Sequence, residues 1–164
     1  MRKGFSIIET LLAAFVLSVG LVGVISIFGP INTASREATH RVVAAALAQE
    51  GIELVRNIRD NNMIAGKSID HNMSLNSWRC IDYNDTALRS CNGVLSRTSS
   101  GFFHHGSGSD TPYRRWVRVE RADSDTLNIT TMVTWGNTSR PSRLNQCTAI
   151  NHCTHARSTL KNWH

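Results

Sequence analysis

An apolar run near the N-terminus constrains this chain more than any other feature of its 164 residues. The run covers residues 5–28 and contains one charged residue, Glu9. A helix of about 24 residues is roughly 36 Å long, which is enough to cross a hydrocarbon core of about 30 Å. A carboxylate at the bilayer centre is unfavourable by about 2.5–3.5 kcal/mol, and by less near the interface. Glu9 therefore predicts a cationic partner.

The residues before the run indicate which partner this is. Arg2 and Lys3 form a short basic leader, Gly4 and Phe5 follow, and Glu9 comes four residues after the phenylalanine. This arrangement resembles the N-terminal motif of the type IV pilin and pseudopilin family. The resemblance implies that a prepilin peptidase cuts between Gly4 and Phe5 and methylates the new N-terminus. It also implies that Glu9 meets the N-terminal ammonium of a neighbouring subunit in a filament.

Two other interpretations of the run are possible. A secretory signal peptide has a shorter apolar core followed by a cleavage site of small residues, which Ser18-Val19-Gly20 imitates. A charged Glu9 inside the core argues against that reading. A plain N-terminal membrane anchor is the second alternative, but such an anchor gains nothing from the carboxylate.

The sequence predicts an α+β fold with a long N-terminal helix on a small antiparallel sheet. We divide the chain into a leader (1–4), a transmembrane and filament-core helix (5–31), an amphipathic continuation of that helix (32–62) and a β-rich head (63–164). Gly29-Pro30 predicts a kink or a short unwound stretch, because proline removes a helix hydrogen bond. The resemblance implies that the apolar half of the helix protrudes.

The amphipathic part shows apolar residues at helical spacing. We expect this stripe to pack on the sheet and the helix to end at Asp60-Asn61-Asn62. The stripe consists of Val43, Leu47, Gly51, Leu54, Val55 and Ile58.

Alternating residues in the C-terminal half predict one β-hairpin. Its strands cover residues 113–121 and 127–135, and residues 122–126 form a polar turn. We expect Val117, Val119, Leu127, Ile129 and Val133 to face the helix. The remainder is less regular: residues 78–83 could form a short strand, residues 160–163 either a last short strand or a packed tail, and the segment between the hairpin and residue 160 is irregular.

Four cysteines lie in the predicted head, where an extracytoplasmic location favours disulfides. Of the three possible connectivities we predict the two local pairs, Cys80–Cys91 and Cys147–Cys153. Cys147, His152, Cys153 and His155 also resemble a zinc ligand set, but their spacing is not that of common zinc sites. We therefore expect no metal and no cofactor, and we expect His104-His105 to lie in a solvated loop.

The net charge of +6 falls mostly on the segment after residue 62. Basic and aromatic residues alternate in it at Arg114, Arg115, Trp116 and Arg118, a pattern found where single-stranded nucleic acid binds. These four are possible DNA contacts, although we favour a solvent-facing amphipathic strand as the explanation of the pattern. The chain carries no P-loop and no dinucleotide-binding glycine pattern, and we expect no enzymatic activity.

The sequence thus predicts a structural subunit of a type IV pilus-like or type II secretion-like filament. Its expected partners are other pilin-like subunits, the prepilin peptidase, an inner-membrane assembly platform and the membrane. The expected location is the cytoplasmic membrane, with the head outside the cytoplasm, and afterwards an extracellular or periplasmic filament. The alternative is a membrane-tethered or tip-located head that captures DNA or a surface ligand.

Overall fold

The computed structural model describes residues 6–136 and 138–162 and confirms the α+β prediction. It divides into two compact units, Met1–Thr39 and His40–His164, and one helix contributes to both. The elements are α1 (Ile7–Ile64), β1 (Trp78–Arg79), β2 (Val94–Arg97), β3 (Phe103–His104), β4 (Ser109–Asp123), β5 (Thr126–Thr134) and β6 (Cys153–Lys161), with two 3₁₀ turns at Leu144–Gln146 and Ala149–Asn151.

Helix α1 is longer than the sequence predicts at its C-terminal end. It continues past the polar Asp60-Asn61-Asn62 to Ile64, because Asn62 is buried and donates a 2.8 Å hydrogen bond to the His71 carbonyl oxygen. Gly66, with a φ of 66°, follows the last turn. The assignment of that end to residues 60–62 was wrong. At Gly29-Pro30 the chain remains α-helical, so no unwound stretch is present there, and the kink stays a prediction.

The second part of α1 buries one stripe of side chains against the sheet. Successive buried positions lie three or one residues apart, which is the spacing of a single helix face. Val43 and Leu54 lie only partly buried at its margins, and Ile52 belongs to it although the predicted stripe omits it. The buried residues are Ala44, Leu47, Ala48, Gly51, Ile52, Val55, Ile58, Arg59 and Asn62.

The sheet is antiparallel, with the order β3-β2-β4-β5-β6, and β1 pairs with β4. The predicted hairpin is present as β4 and β5, joined by a shorter turn, since Asp123 already pairs with Thr126. All five residues predicted to face the helix are buried in clusters that include α1 residues. This face of the sheet forms the main core.

Strand β6 was not predicted over its full length. It covers Cys153–Lys161 and pairs along β5, whereas the sequence suggested only a short element near its end. Its helix-facing positions carry small residues such as Ala156 and Ser158, which give no strong hydrophobic alternation. Strands β2 and β3 were not predicted either, because each is too short to show an alternating pattern.

The opposite face of the sheet has a smaller core of its own. Met132 is fully buried there, although it points away from α1, because the chain between β5 and β6 covers it. The disulfide Cys147–Cys153 belongs to this cluster, with a Cα–Cα distance of 4.9 Å. Trp78 and Leu144 pack at its margin.

Gly51 lies where α1 approaches the sheet closely. A Cβ atom at this position would lie 2.6 Å from Cγ2 of Thr131 on β5. The neighbouring Arg115 is fully buried in the same region. Its guanidinium donates to the Ile81 carbonyl oxygen at 2.9 Å and pairs with the Glu50 carboxylate at 3.2 Å. One side chain thus links the helix, strand β4 and the segment after β1.

Candidate functional site

The N-terminal part of α1, which we call the apolar segment (residues 6–31), is exposed along its whole length. Ile7 is 80% exposed, and its large apolar neighbours are more than half exposed. The helix is long and apolar enough to cross a membrane, and the window that meets this criterion has no buried residue. Signal sequences and core helices satisfy the same length and composition criterion, but a core helix is buried.

Three hydroxyl groups in the apolar segment are paired inside the helix. Thr10, Ser18 and Ser26 each donate a 2.8 Å hydrogen bond to a backbone carbonyl oxygen three residues earlier. Backbone acceptors in the same turn remove the need for water at these groups. The segment therefore presents hydrocarbon without an unsatisfied hydroxyl donor at these three positions, as a lipid or a packed helix bundle requires.

Glu9 lies exposed in the first turn of α1, where a negative charge favours the positive end of the helix dipole. No side chain within residues 6–136 and 138–162 pairs with its carboxylate. The predicted processing site, Gly4 and Phe5, lies outside the described residues. Glu9 is thus the one charged residue in the apolar segment.

The predicted DNA contacts do not form one surface. Arg115 is fully buried and faces α1, and Trp116 is 7% exposed on the opposite face. Alternation along β4 places neighbouring residues on opposite faces, so Arg115 cannot line the same groove as the other three. Arg115 and Trp116 were wrong as contact residues. Arg114 and Arg118 are half-buried on the same face as the tryptophan.

A different basic cluster lies on that face, and we call it the outer basic face (Trp78, Arg118, Arg140, His155 and Arg157). Strand pairing aligns Trp78 with Arg118, Arg118 with Thr130, and Thr130 with Arg157. The Arg140 guanidinium lies 5.3 Å from the centre of the Trp78 ring, within the range of a cation–π contact.

Electrostatics on the outer basic face reflect this crowding of cations. Burial, and then the nearby positive charge of Arg118, lowers the pKa of Arg140 below its usual value. Burial and the charge of Arg157 likewise lower the pKa of His155 below 6.5. One carboxylate, Glu120, lies 2.7 Å from Arg118. An anion bound here would relieve repulsion between like charges.

A weak alternating pattern in the sequence of β6 is consistent with this face, although we did not predict the strand from it. His155, Arg157 and Thr159 alternate with small residues, which is the pattern of a strand with one polar face. Because β6 was not recognised, its Arg157 was not placed beside Arg118. Arg140 lies in an irregular segment, and nothing local in the sequence predicts its position over Trp78.

Both disulfides join the predicted partners, Cys80 to Cys91 and Cys147 to Cys153. The zinc set with His152 and His155 is not brought together within the described part of the chain.

The solvated-loop prediction for the histidine pair fails at His105, whose side chain is 1% exposed. His105 Nδ1 lies 2.6 Å from Oδ1 of Asp82, a buried carboxylate that also pairs with Arg89. Burial raises the pKa of Asp82, but hydrogen bonds from His105 and the charges around it outweigh burial and lower that pKa below 3.8. The contact thus joins the segment between β1 and β2 to the loop between β3 and β4.

No protein-family model matches this chain, and the searches of curated proteins and of solved structures also give no match. What supports the resemblance is therefore the N-terminal motif together with a long apolar N-terminal helix and an antiparallel sheet.

Proposed function

We propose that the chain is a structural subunit of a type IV pilus-like or type II secretion-like filament. The observation that carries this proposal is one continuous helix with two different surfaces. Its residues 6–31 are exposed and apolar apart from Glu9, whereas its later residues form the core of an α+β head. An exposed apolar surface of this length needs lipid or other copies of itself.

The role of Glu9 in this proposal is to set the axial position of each subunit. Before assembly the segment lies in the cytoplasmic membrane, and the head lies outside the cytoplasm. In the filament, the N-terminal amine of an incoming Phe5 pairs with Glu9 of a subunit already in place. Apolar side chains such as Ile8 and Leu12 surround the pair, so the attraction is strong. A misplaced subunit leaves both charges unpaired, which costs several kcal/mol.

The deciding experiment compares Glu9 variants in cells that assemble the filament. We expect Glu9→Ala to be inserted in the membrane and cut between Gly4 and Phe5, yet to be several-fold depleted from filaments. Glu9→Asp, one methylene shorter, should be intermediate. Glu53→Ala is the matched control, because Glu53 lies exposed on the same helix beyond the apolar segment and contacts Arg56.

The readout is the ratio of filament-associated to membrane-associated protein for each variant. Normal incorporation of Glu9→Ala would remove the proposed role and favour a plain anchor. Mass spectrometry of the same material tests processing, for which we expect a mature chain that begins at N-methylated Phe5. An intact Met1, or a new N-terminus near Gly20, would contradict the prepilin-type motif.

The outer basic face supports a second candidate function, a head that binds DNA or another acidic polymer. Arg118, Arg140 and Arg157 offer phosphate contacts, and Trp78 offers an aromatic ring beside them. Phosphate contacts weaken steeply with salt. We therefore expect single-stranded DNA binding by the full chain in detergent to fall as salt rises, and to fall further in Arg157→Gln. Arg36→Gln, on the helix before the head, is the control, and equal loss in both variants would argue against this face.

A further inference from the structure

We propose that Cys80, Cys91 and His105 bind a divalent metal ion of the Zn²⁺ type when the Cys80–Cys91 disulfide is reduced. The proposed site and the disulfide exclude each other, because both use the same two sulfur atoms. This inference goes beyond the filament function and does not depend on it.

Three potential ligand atoms converge in this place. The two sulfur atoms and one ring nitrogen of His105 lie within 4.8 Å of one another. In a tetrahedral zinc site with bonds of about 2.0–2.3 Å, ligand atoms are roughly 3.3–3.8 Å apart. A shift of about 1 Å after the S–S bond opens is therefore enough to enclose an ion. Within the described ranges this is the one group of three such side chains that meets the distance criterion.

Backbone contacts keep the two cysteines close without the help of the disulfide. Cys80 and Arg89 exchange two backbone hydrogen bonds of 2.8 and 3.1 Å, which hold the backbone at Arg89 beside the backbone at Cys80. The Cα atoms of Cys80 and Cys91 are 5.9 Å apart. The amide of Gly93 donates to the Cys91 sulfur at 3.1 Å, and such a donor favours the thiolate that a metal requires.

His105 is oriented as a metal-binding histidine is. Its Nδ1 faces the Asp82 carboxylate, and its Nε2 lies 3.2 Å from the carbonyl oxygen of Arg115. If Nδ1–H donates to the carboxylate, a neutral ring directs the Nε2 lone pair at another acceptor. A cation at Nε2 removes that repulsion. A carboxylate that holds the opposite nitrogen is the usual outer partner of a metal-bound histidine.

The thiol and the ring nitrogen approach the same point. Cys80 Sγ lies 3.5 Å from the Arg115 carbonyl oxygen, the atom that Nε2 also contacts. Cys80 is fully buried and Cys91 is exposed, so the site opens to solvent on the Cys91 side. A water molecule or the carbonyl oxygen would complete four-fold coordination. Two thiolates and an imidazole select zinc-like ions over Mg²⁺ and Ca²⁺, which prefer oxygen ligands.

A dithiol or phosphine reductant supplies two electrons, the S–S bond breaks, and two protons from water complete the two thiols. Metal binding then releases two protons to solvent and forms two metal–sulfur bonds. Oxidation by a small-molecule disulfide reverses the sequence: that disulfide takes up two electrons and two protons and becomes two thiols, the Cys80–Cys91 bond re-forms, and the ion is released. The chain is therefore metal-binding under reducing conditions and cross-linked under oxidising ones.

The experiment uses the full chain in detergent on a Cys147→Ser/Cys153→Ser background, which leaves one cysteine pair. The protein is reduced with a phosphine and titrated anaerobically with Co²⁺, followed by Zn²⁺ competition. We expect one Co²⁺ per chain, with the near-ultraviolet thiolate-to-cobalt absorption and the intense visible bands of a tetrahedral site. The oxidised protein should bind none. Near-ultraviolet circular dichroism of the tryptophans reports whether each sample is folded.

Variants distinguish a metal site formed by all three side chains from metal binding by the two cysteine thiols alone. Asp82→Asn should weaken Zn²⁺ binding about 10–100-fold, which is the usual effect of losing an outer partner. His105→Gln and Cys91→Ser should weaken it further, and His152→Gln should leave it unchanged. Metal binding with the same affinity in wild type and His105→Gln would overturn the proposal, as would a folded, reduced protein that binds no Co²⁺ or binding by the oxidised chain.

Discussion

At the scale of single residues, Gly51 gives the sharpest test of the packing. Alanine normally stabilises a helix interior by about 1 kcal/mol relative to glycine. Here the added methyl would meet Thr131 at 2.6 Å and lie 3.4 Å from Arg115 Cδ. We expect Gly51→Ala to lower the free energy of unfolding by about 1–3 kcal/mol, the usual effect of overpacking. Chemical denaturation of the full chain in detergent measures it.

The control for this substitution is Gln49→Ala, on the exposed side of the same helix. It should change the free energy of unfolding by no more than about 0.5 kcal/mol. An alanine at position 51 that stabilises the protein would mean that the helix does not approach the sheet so closely.

Asp70 is predicted to make stability depend on pH in the acidic range. Burial raises its pKa, but hydrogen bonds from Ser68 and Arg121 and the charge of Arg121 lower it more, so that it ends below 3.8. A carboxylate with a lowered pKa in the folded state stabilises that state above its unfolded pKa. This contribution disappears as pH falls from about 4 through the folded pKa. Denaturation at several pH values should show the loss.

Asp70→Asn should remove that part of the pH dependence and cost about 0.5–1 kcal/mol at pH 7, as expected for a partly exposed ion pair. Glu53→Gln, whose carboxylate is more exposed, serves as the control. An unchanged acid limb in Asp70→Asn would show that other carboxylates determine it.

Single residues differ in how far the sequence predicts them. Glu9 could be singled out from the sequence alone, because it is the one charged residue in an apolar run. Arg115 was assigned to the surface, since neighbours in sequence alternate between faces and charge alone does not say which face is buried. His105 was predicted to be solvated because its partner, Asp82, is distant in sequence and no local pattern connects the two residues.

At the scale of elements, the strands with strong hydrophobic periodicity were the ones that the sequence predicted correctly. Strands β4 and β5 combine β-branched residues with regular alternation, and the five residues predicted to face the helix are buried with it. The weak strands β2, β3 and β6 are held by pairing with their neighbours rather than by their own pattern. Local pattern cannot reveal an element that tertiary contacts define.

The segment between β5 and β6 is predicted to depend on its disulfide. Cys147–Cys153 packs against the fully buried Met132 and anchors the two 3₁₀ turns near it. We expect Cys147→Ser/Cys153→Ser to lower the free energy of unfolding by about 2 kcal/mol, as chain entropy suggests for a short loop. Amide hydrogen exchange in residues 144–151 should accelerate, while exchange in β4 should not. Equal acceleration in both would indicate a global effect instead.

At the scale of the whole molecule, the two units are predicted to be separable. Buried apolar residues of the described chain all lie at or after Ala44, within the unit His40–His164. We expect a fragment of residues 32–164 to fold cooperatively and to stay soluble without detergent, whereas the full chain should require it. Circular dichroism and size-exclusion chromatography test this. A fragment that aggregates or melts without cooperativity would show that the head needs the apolar segment.

The buried contacts of Arg115 also limit how this sequence can diverge. Its guanidinium donates to a carbonyl oxygen after β1 and pairs with the Glu50 carboxylate of α1. The charge of this one side chain on β4 is therefore neutralised by two other stretches of the chain. The Glu50 side chain is 37% exposed, but loss of its carboxylate would leave the fully buried Arg115 guanidinium without a counter-charge, which is destabilising, whereas replacing both partners by apolar residues is often tolerated. We therefore expect descendants of this chain either to keep both charges or to lose both together, with single losses rare. Among relatives, positions 50 and 115 should change as a pair.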